Sequence, residues 1–413
     1  MSSLNHIAAA LGQRNFRIYV SGNSVSLVGL WVQRIAVGWL TWDLTGSGAW
    51  LGAVAFADLC PSLIVGPFGG VIADRTSRLT IMRIAQTLSM LQAAVLGLLA
   101  AGGWITIELL IILVLLNGIV VGFNQPARLA LVSGLVPREH LSTAVAINSV
   151  VFNLARFIGP AIAGALIITV GVAPAFWVNA LSYLAFLVAL SRIRVEHEFT
   201  PSAGAESRSM TADVVEGVRY LMGHGGIGPL LLLSTVTAVG VRGYVELLPG
   251  FAAQVFGRGA GGLAVLGSAI GVGAVAGGLW LAQRGGMRDL ARVALLNSLY
   301  MVLAVFAFAA TGEFWLGVLC AGVSGIFMAV SGVATQTIVQ LAVDPRVRGR
   351  VLSLYGIIVR AGPAGGALLM GFASEAAGLR IPLIAGTALC TLVWLGVWRR
   401  RVRVEAALEE RSG

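Results

Sequence analysis

Gly70-Val71-Ile72-Ala73-Asp74-Arg75-Thr76-Ser77-Arg78 is a hairpin held between two apolar runs. The first run ends near Ala73 and the second starts near Leu79, so the chain turns within a few residues that carry three charges. Charges placed so tightly between apolar segments belong where water meets a bilayer. Arg75 and Arg78 favour the cytoplasmic side, because basic residues resist translocation. Taken alone, the stretch could also be an ordinary charged loop. The sequence on either side of it decides.

Of 413 residues, 57% are hydrophobic and only 11% charged, where a soluble domain averages about 25% charged. The composition is that of a polytopic membrane protein. A formal charge of +10 invites a nucleic-acid reading, but the positions of the charges exclude it. Every basic residue is arginine. By the span limits given below, 17 of the 28 arginines fall in one alternate set of loops and the tails, and five more (Arg17, Arg83, Arg192, Arg292, Arg350) lie within four residues of the span ends that adjoin that set. Arg258 falls in the opposite set, Arg380 lies at the span end beside that set, and four (Arg34, Arg156, Arg242, Arg360) lie deep within spans. This asymmetry is the positive-inside pattern and predicts both termini in the cytoplasm.

The absence of lysine excludes a P-loop, which places a lysine on the phosphates, so the chain is not expected to power itself with ATP. Cys60, Cys320 and Cys390 lie within apolar runs without metal or redox spacing and read as free packing residues. No metal site and no cofactor is expected. The first apolar run, from about Ile18, is long enough to remain as a span rather than to be cleaved as a signal peptide.

Windows of about twenty apolar residues predict twelve spans: 17–41, 49–73, 80–101, 105–127, 143–169, 174–193, 228–253, 261–283, 290–310, 314–339, 350–374 and 379–398. The expected organisation is a six-span half (1–193), a cytoplasmic linker (194–227), a second half (228–398) and a cytoplasmic tail (399–413). Within the linker, Met210, Val214, Val218 and Leu221 share one helical face, which predicts a short amphipathic helix over Met210–Met222 lying on the membrane surface. The halves resemble copies. Gly118 through Val136 aligns with Gly325 through Val343, and the stretch 155–165 with 359–367. Two six-span repeats around a central cavity make an all-α membrane fold.

Taken with this layout, the hairpin resembles the signature between the second and third helices of the major facilitator superfamily: Gly70, three residues, Asp74, Arg75, two residues, and the basic Arg78. Ser77 departs from it, standing where glycine is usual. The resemblance implies a cytoplasmic gate in which the aspartate pairs with basic groups and helix ends. Gly159-Pro160 with Gly164 in the fifth span resembles part of the glycine–proline pattern of facilitator antiporters, though small residues at that spacing also serve simple close packing. Asn124-Gln125-Pro126-Ala127-Arg128 with Leu135-Val136-Pro137, and Arg348-Gly349-Arg350-Val351, are similar to the branch that includes the enterobactin exporter. That likeness implies export of a drug or siderophore-like molecule by proton antiport.

Charges within spans single out the working residues, because each costs roughly 2.5–3.5 kcal/mol at mid-bilayer. Asp58 lies well inside span 2, and a carboxylate drawn out of water can pass between neutral and charged forms near physiological pH. It is a candidate proton carrier or, paired with Arg34, a structural ion pair. Glu246 follows Arg242 by four residues, a spacing that predicts one shared helical face and an ion pair, with Pro249 loosening the helix beyond. Arg34, Arg156, Arg242 and Arg360 are candidates for substrate binding or charge pairing, being permanently charged. Arg128 is expected to snorkel to the cytoplasmic face. All four histidines lie outside the spans, so a proton relay rests on Asp58 and Glu246. Trp31 and Trp39 are candidates to face the cavity, with a lipid-facing position as the expectation.

No enzyme motif is present. The expectation is a monomeric transporter in the bacterial inner membrane, binding a small-molecule substrate and no nucleic acid, with protons as the coupling ion. An importer of a nutrient or siderophore and a transporter of amphipathic lipids share the same expected fold. A non-transporting sensor fits less well, for it would carry two buried acids without use.

Overall fold

The computed structural model describes residues 3–73, 75–194, 219–221, 223–284, 289–344 and 347–402, and every regular element among them is helical. A short helix, Ser3–Gly12, precedes twelve long ones. These are α1 (Arg14–Thr45), α2 (Gly48–Ala73), α3 (Arg78–Ala101), α4 (Ile107–Gly134), α5 (Leu141–Val170) and α6 (Ala173–Arg192), then α7 (Ile227–Val255), α8 (Gly259–Arg284), α9 (Leu290–Ala310), α10 (Phe314–Ala342), α11 (Arg348–Ala377) and α12 (Arg380–Trp398). All twelve are long and apolar enough to cross a bilayer. Large apolar side chains such as Ile64, Leu181, Trp315 and Leu392 stay exposed, as lipid-facing residues do. The all-α, twelve-span architecture expected from the apolar windows is the one observed.

Helix ends follow local chemistry. Ser77 caps α3 by accepting the Thr80 N–H at 3.3 Å. Its φ of −52° needs no glycine, so the departure of Ser77 from the signature leaves a sound turn. Thr106 caps α4 in the same way, accepting from Leu109. α5 and α11 both run into a glycine with positive φ, Gly171 at 88° and Gly378 at 73°, where a side chain would be strained. The two glycines are 207 residues apart, within the offsets that align the halves.

Contacts divide the chain into two compact units. The first holds Met1–Gly46, Ala57–Gly204 and Leu263–Ser268. In it α1 packs along α5 and α6, and α3 along α4 and α6. Its apolar core is built around Phe16, Tyr19, Met82, Leu131, Phe186 and Leu190. Glycines let α2 and α4 approach closely: a Cβ on Gly118 would press on the Asp58 carbonyl, and one on Gly69 on that of Gly122.

The second unit holds Ser47–Phe56, Ala205–Gly262 and Ala269–Gly413. Here α7 packs along α11 and α12, and α9 along α10 and α12, which is the pattern of the first unit advanced by six helices. Small residues again set the spacing. Gly362 of α11 abuts Ala238 of α7, and Gly52 of α2 abuts the backbone at Ala367 and Leu368.

Asp74, positions 210–218 and Met222 of the expected amphipathic helix, and most of the expected tail lie outside the described residues.

Candidate functional site

In the first unit the mid-span charges gather on the indole of Trp31. An Arg34 terminal nitrogen lies 3.8 Å from an Asp58 carboxylate oxygen, with the two side chains 32% and 34% exposed. The pair is thus inside a span yet reachable. The Arg34 guanidinium carbon sits 5.5 Å from the Trp31 ring centre and that of Arg156 sits 5.6 Å from it, within cation–π range. Phe152 meets the same ring edge-on at 5.8 Å. Trp31 therefore does not face lipid as expected; its Nε1 is closed off from solvent, with no acceptor among the described residues. Gly159 explains how α5 comes so near, because a Cβ there would collide with that of Trp31. Pro160 and Gly164 are buried beside it.

Next to this cluster runs a ladder of uncharged amides that the reading of charges missed. Gln33 donates to Gln92 at 3.0 Å and accepts from Asn179 at 2.8 Å. Ser182 donates to the Asn179 side chain at 3.0 Å, and Ser89 to Asn117 at 2.9 Å. All six residues are buried. The ladder ties α1, α3 and α6 together and α3 to α4, fixing the rotation of α1 and hence the direction of Arg34. A signal existed, since amides within apolar windows are costly unless partnered.

In the second unit α7 is not one continuous α-helix. Its α-helical part ends at Gly240, Arg242–Leu247 is a 3-10 turn and Phe251–Val255 is π-helical. Pro249 supplies the cause. It lacks an N–H, and its ring crowds the carbonyl four residues back. The expectation that Arg242 and Glu246 share a face fails for this reason. At three residues per turn, residues four apart point about 120° away from one another. Arg242 instead donates to the Ser331 hydroxyl of α10 at 3.3 Å, and the ion pair with Glu246 is not formed. Glu246 is partly buried and Arg360 is exposed. Arg128 donates to the hydroxyl of the buried Tyr19 at 3.3 Å.

A further carboxylate emerges at the end of α11. Glu375 accepts the Ser47 hydroxyl at 2.7 Å and the Ala49 N–H at 3.1 Å, capping the first turn of α2. At the opposite end of α2, Arg78 donates to the Ala130 carbonyl of α4 at 3.0 Å and Arg75 is exposed. Gly70 has open space where a side chain would go.

A model of the transmembrane secretion effector family matches residues 6–412. The chain is 26% identical over 368 residues to a staphyloferrin A transporter of Staphylococcus aureus, covering 88% of this chain and 90% of that one. It is likewise 26% identical over 375 residues to the multidrug efflux pump Tap of Mycolicibacterium fortuitum, covering 88% of each. A bacterial homologue of the human lysosomal transporter Spinster, solved inward-facing, superposes with a TM-score of 0.68 at 16% identity, covering 100% of this chain and 96% of that one. That superposition speaks for the fold alone. These proteins are membrane transporters and not enzymes, and twelve spans with bacterial relatives make this a multi-pass bacterial membrane protein. The chain belongs to the transmembrane secretion effector family of the major facilitator superfamily.

Proposed function

We propose that this protein exports a small molecule, drug-like or siderophore-like, by exchanging it for protons through alternating access. The observation that carries the proposal is the Arg34–Asp58 pair at 3.8 Å, charged, inside a span and about one-third exposed. A proton arriving on Asp58 cancels its attraction for Arg34, which then has only the Trp31 ring and its other neighbours to hold it. Loss of the proton to the cytoplasm restores the pair. A switch of this kind biases a two-state transporter when its pair is stronger in one state than in the other. Glu246 is the second candidate carrier. Arg75 and Arg78, with Asp74, would bias the closed inner gate.

Efflux relatives, among them a multidrug pump, support the outward direction. The energetics suffice. One charge crossing 100 mV releases about 2.3 kcal/mol, enough to sustain roughly a 40-fold gradient at about 1.4 kcal/mol per decade.

The test is proton flux in proteoliposomes with an enclosed pH-sensitive dye, challenged with a panel of drugs and siderophores. Wild type should move protons when a substrate is added, and Asp58→Asn or Glu246→Gln should abolish the response. Substrate movement with no proton movement in wild type would refute the exchange.

A further inference from the structure

Arg242 stands out in the second unit because it is the middle of a membrane span and its partners are all neutral. One terminal nitrogen donates to Ser331 Oγ at 3.3 Å, longer than the usual 2.9–3.0 Å for such a bond. That hydroxyl itself reaches the Met328 carbonyl only at 3.4 Å. The Nε of Arg242 is buried without an acceptor among the described residues. The Gly332 carbonyl is already engaged, for Tyr355 donates its hydroxyl to it at 2.8 Å. No described carboxylate lies within ion-pair distance of the guanidinium, Glu246 included.

The shortage is also one of numbers. Mid-span, this unit carries Arg242 and Arg360 against Glu246. One guanidinium therefore lacks a carboxylate whichever way Glu246 turns. A permanent charge held in an apolar span without a counter-ion is costly, and arginine cannot escape by losing its proton. The missing partner is an acceptor brought from outside. The residue keeps partial exposure, and opposite its terminal nitrogens stands Gly332, whose absent side chain leaves room. A Cβ there would lie 3.8 Å from both nitrogens.

We propose that Arg242, with Ser331 beside it and Gly332 opening the approach, binds an anionic oxygen group, a carboxylate, on the transported molecule. The planar fork of a guanidinium matches two carboxylate oxygens at once. This inference rests on the transporter reading above but not on proton exchange, since export of an anion from a negative interior is aided by the potential itself. An anionic lipid headgroup presents related chemistry, so the test separates the two sources.

The full-length protein is placed in nanodiscs of phosphatidylcholine and titrated calorimetrically with citrate, benzoate and, as a cation, tetraphenylphosphonium. The anions bind; Arg242→Gln weakens them about 10- to 100-fold, as loss of a charge-assisted hydrogen bond implies. Arg242→Lys keeps the charge without the fork and falls between. Gly332→Ala keeps every charge and crowds the approach, so it weakens the anions even if Arg242→Gln fails to fold.

Equal anion affinity in wild type, Arg242→Gln and Gly332→Ala overturns the proposal, as does preference for the cation. So does anion dependence that shows only as a preference for phosphatidylglycerol nanodiscs. Anion binding without transport in proteoliposomes would count against export and leave the site standing. Transport confined to cations would count against the site and leave export standing.

Discussion

Gly69 and Gly70 are neighbours in the chain with opposite prospects. A methyl on Gly69 would come within 2.8 Å of the Gly122 carbonyl and 2.9 Å of the Phe123 Cα, whereas one on Gly70 meets nothing within 4 Å. Gly69→Ala should cost about 1–3 kcal/mol, the usual toll of overpacking, and lower the thermal midpoint in detergent. Gly70→Ala should leave that midpoint unchanged, so any loss of transport in it reports on the gate and not on folding. The amide ladder makes a second prediction. Gln33→Leu strands the buried donors and acceptors of Gln92 and Asn179, at about 1–3 kcal/mol for each unsatisfied group, visible in the same melting experiment. Charge made Asp58 and Arg34 legible in the sequence, because a charged residue in an apolar window has few bland explanations. Gln33, Asn117 and Asn179 were not, since an isolated amide does not announce which helix will answer it. The surroundings of Trp31 were hidden for a related reason: Arg156 and Phe152, which meet its ring, come from α5, whose rotation only packing sets.

Among the elements, helix limits were the most legible feature, because the bilayer imposes a length that composition must honour. The interior of α7 was less so. Pro249 marks a disturbance, but a proline does not say whether the turns before it will tighten to three residues or merely bend. That choice decided whether Arg242 met Glu246 or Ser331. The cap on α2 was hidden too, since Glu375 and Ser47 are 328 residues apart. Glu375→Ala removes an acceptor from the first turn of α2 and should cost about 1 kcal/mol, typical of a lost N-cap. Glu375→Gln, which retains an oxygen in place, should recover part of it. Thermal melts of the two variants beside Ser47→Ala check this. Equal midpoints for wild type and Glu375→Ala would mean that water caps the helix as well.

For the molecule as a whole, the legible part was the repeat. Segments that align in sequence occupy matching places, with α1, α3, α5 and α6 of the first unit corresponding in their contacts to α7, α9, α11 and α12 of the second. Not legible was that Ser47–Phe56 would group with the second unit, because glycine seams such as Gly48 against Ser374 and Gly371 follow shape more than sequence pattern. Twelve spans return the chain to the side from which it started, and the arginine bias predicts that this side is the cytoplasm. A green fluorescent reporter fused after Gly413 should therefore fold and fluoresce, while alkaline phosphatase fused there should stay inactive; the reverse result would invert the topology. The repeat of six has an ancestral corollary. Six is even, so a gene encoding one half, copied in tandem, would insert both copies the same way up, with no change in the charge bias of either. A duplication of that kind would yield a correctly oriented protein in its first generation, before any residue had diverged.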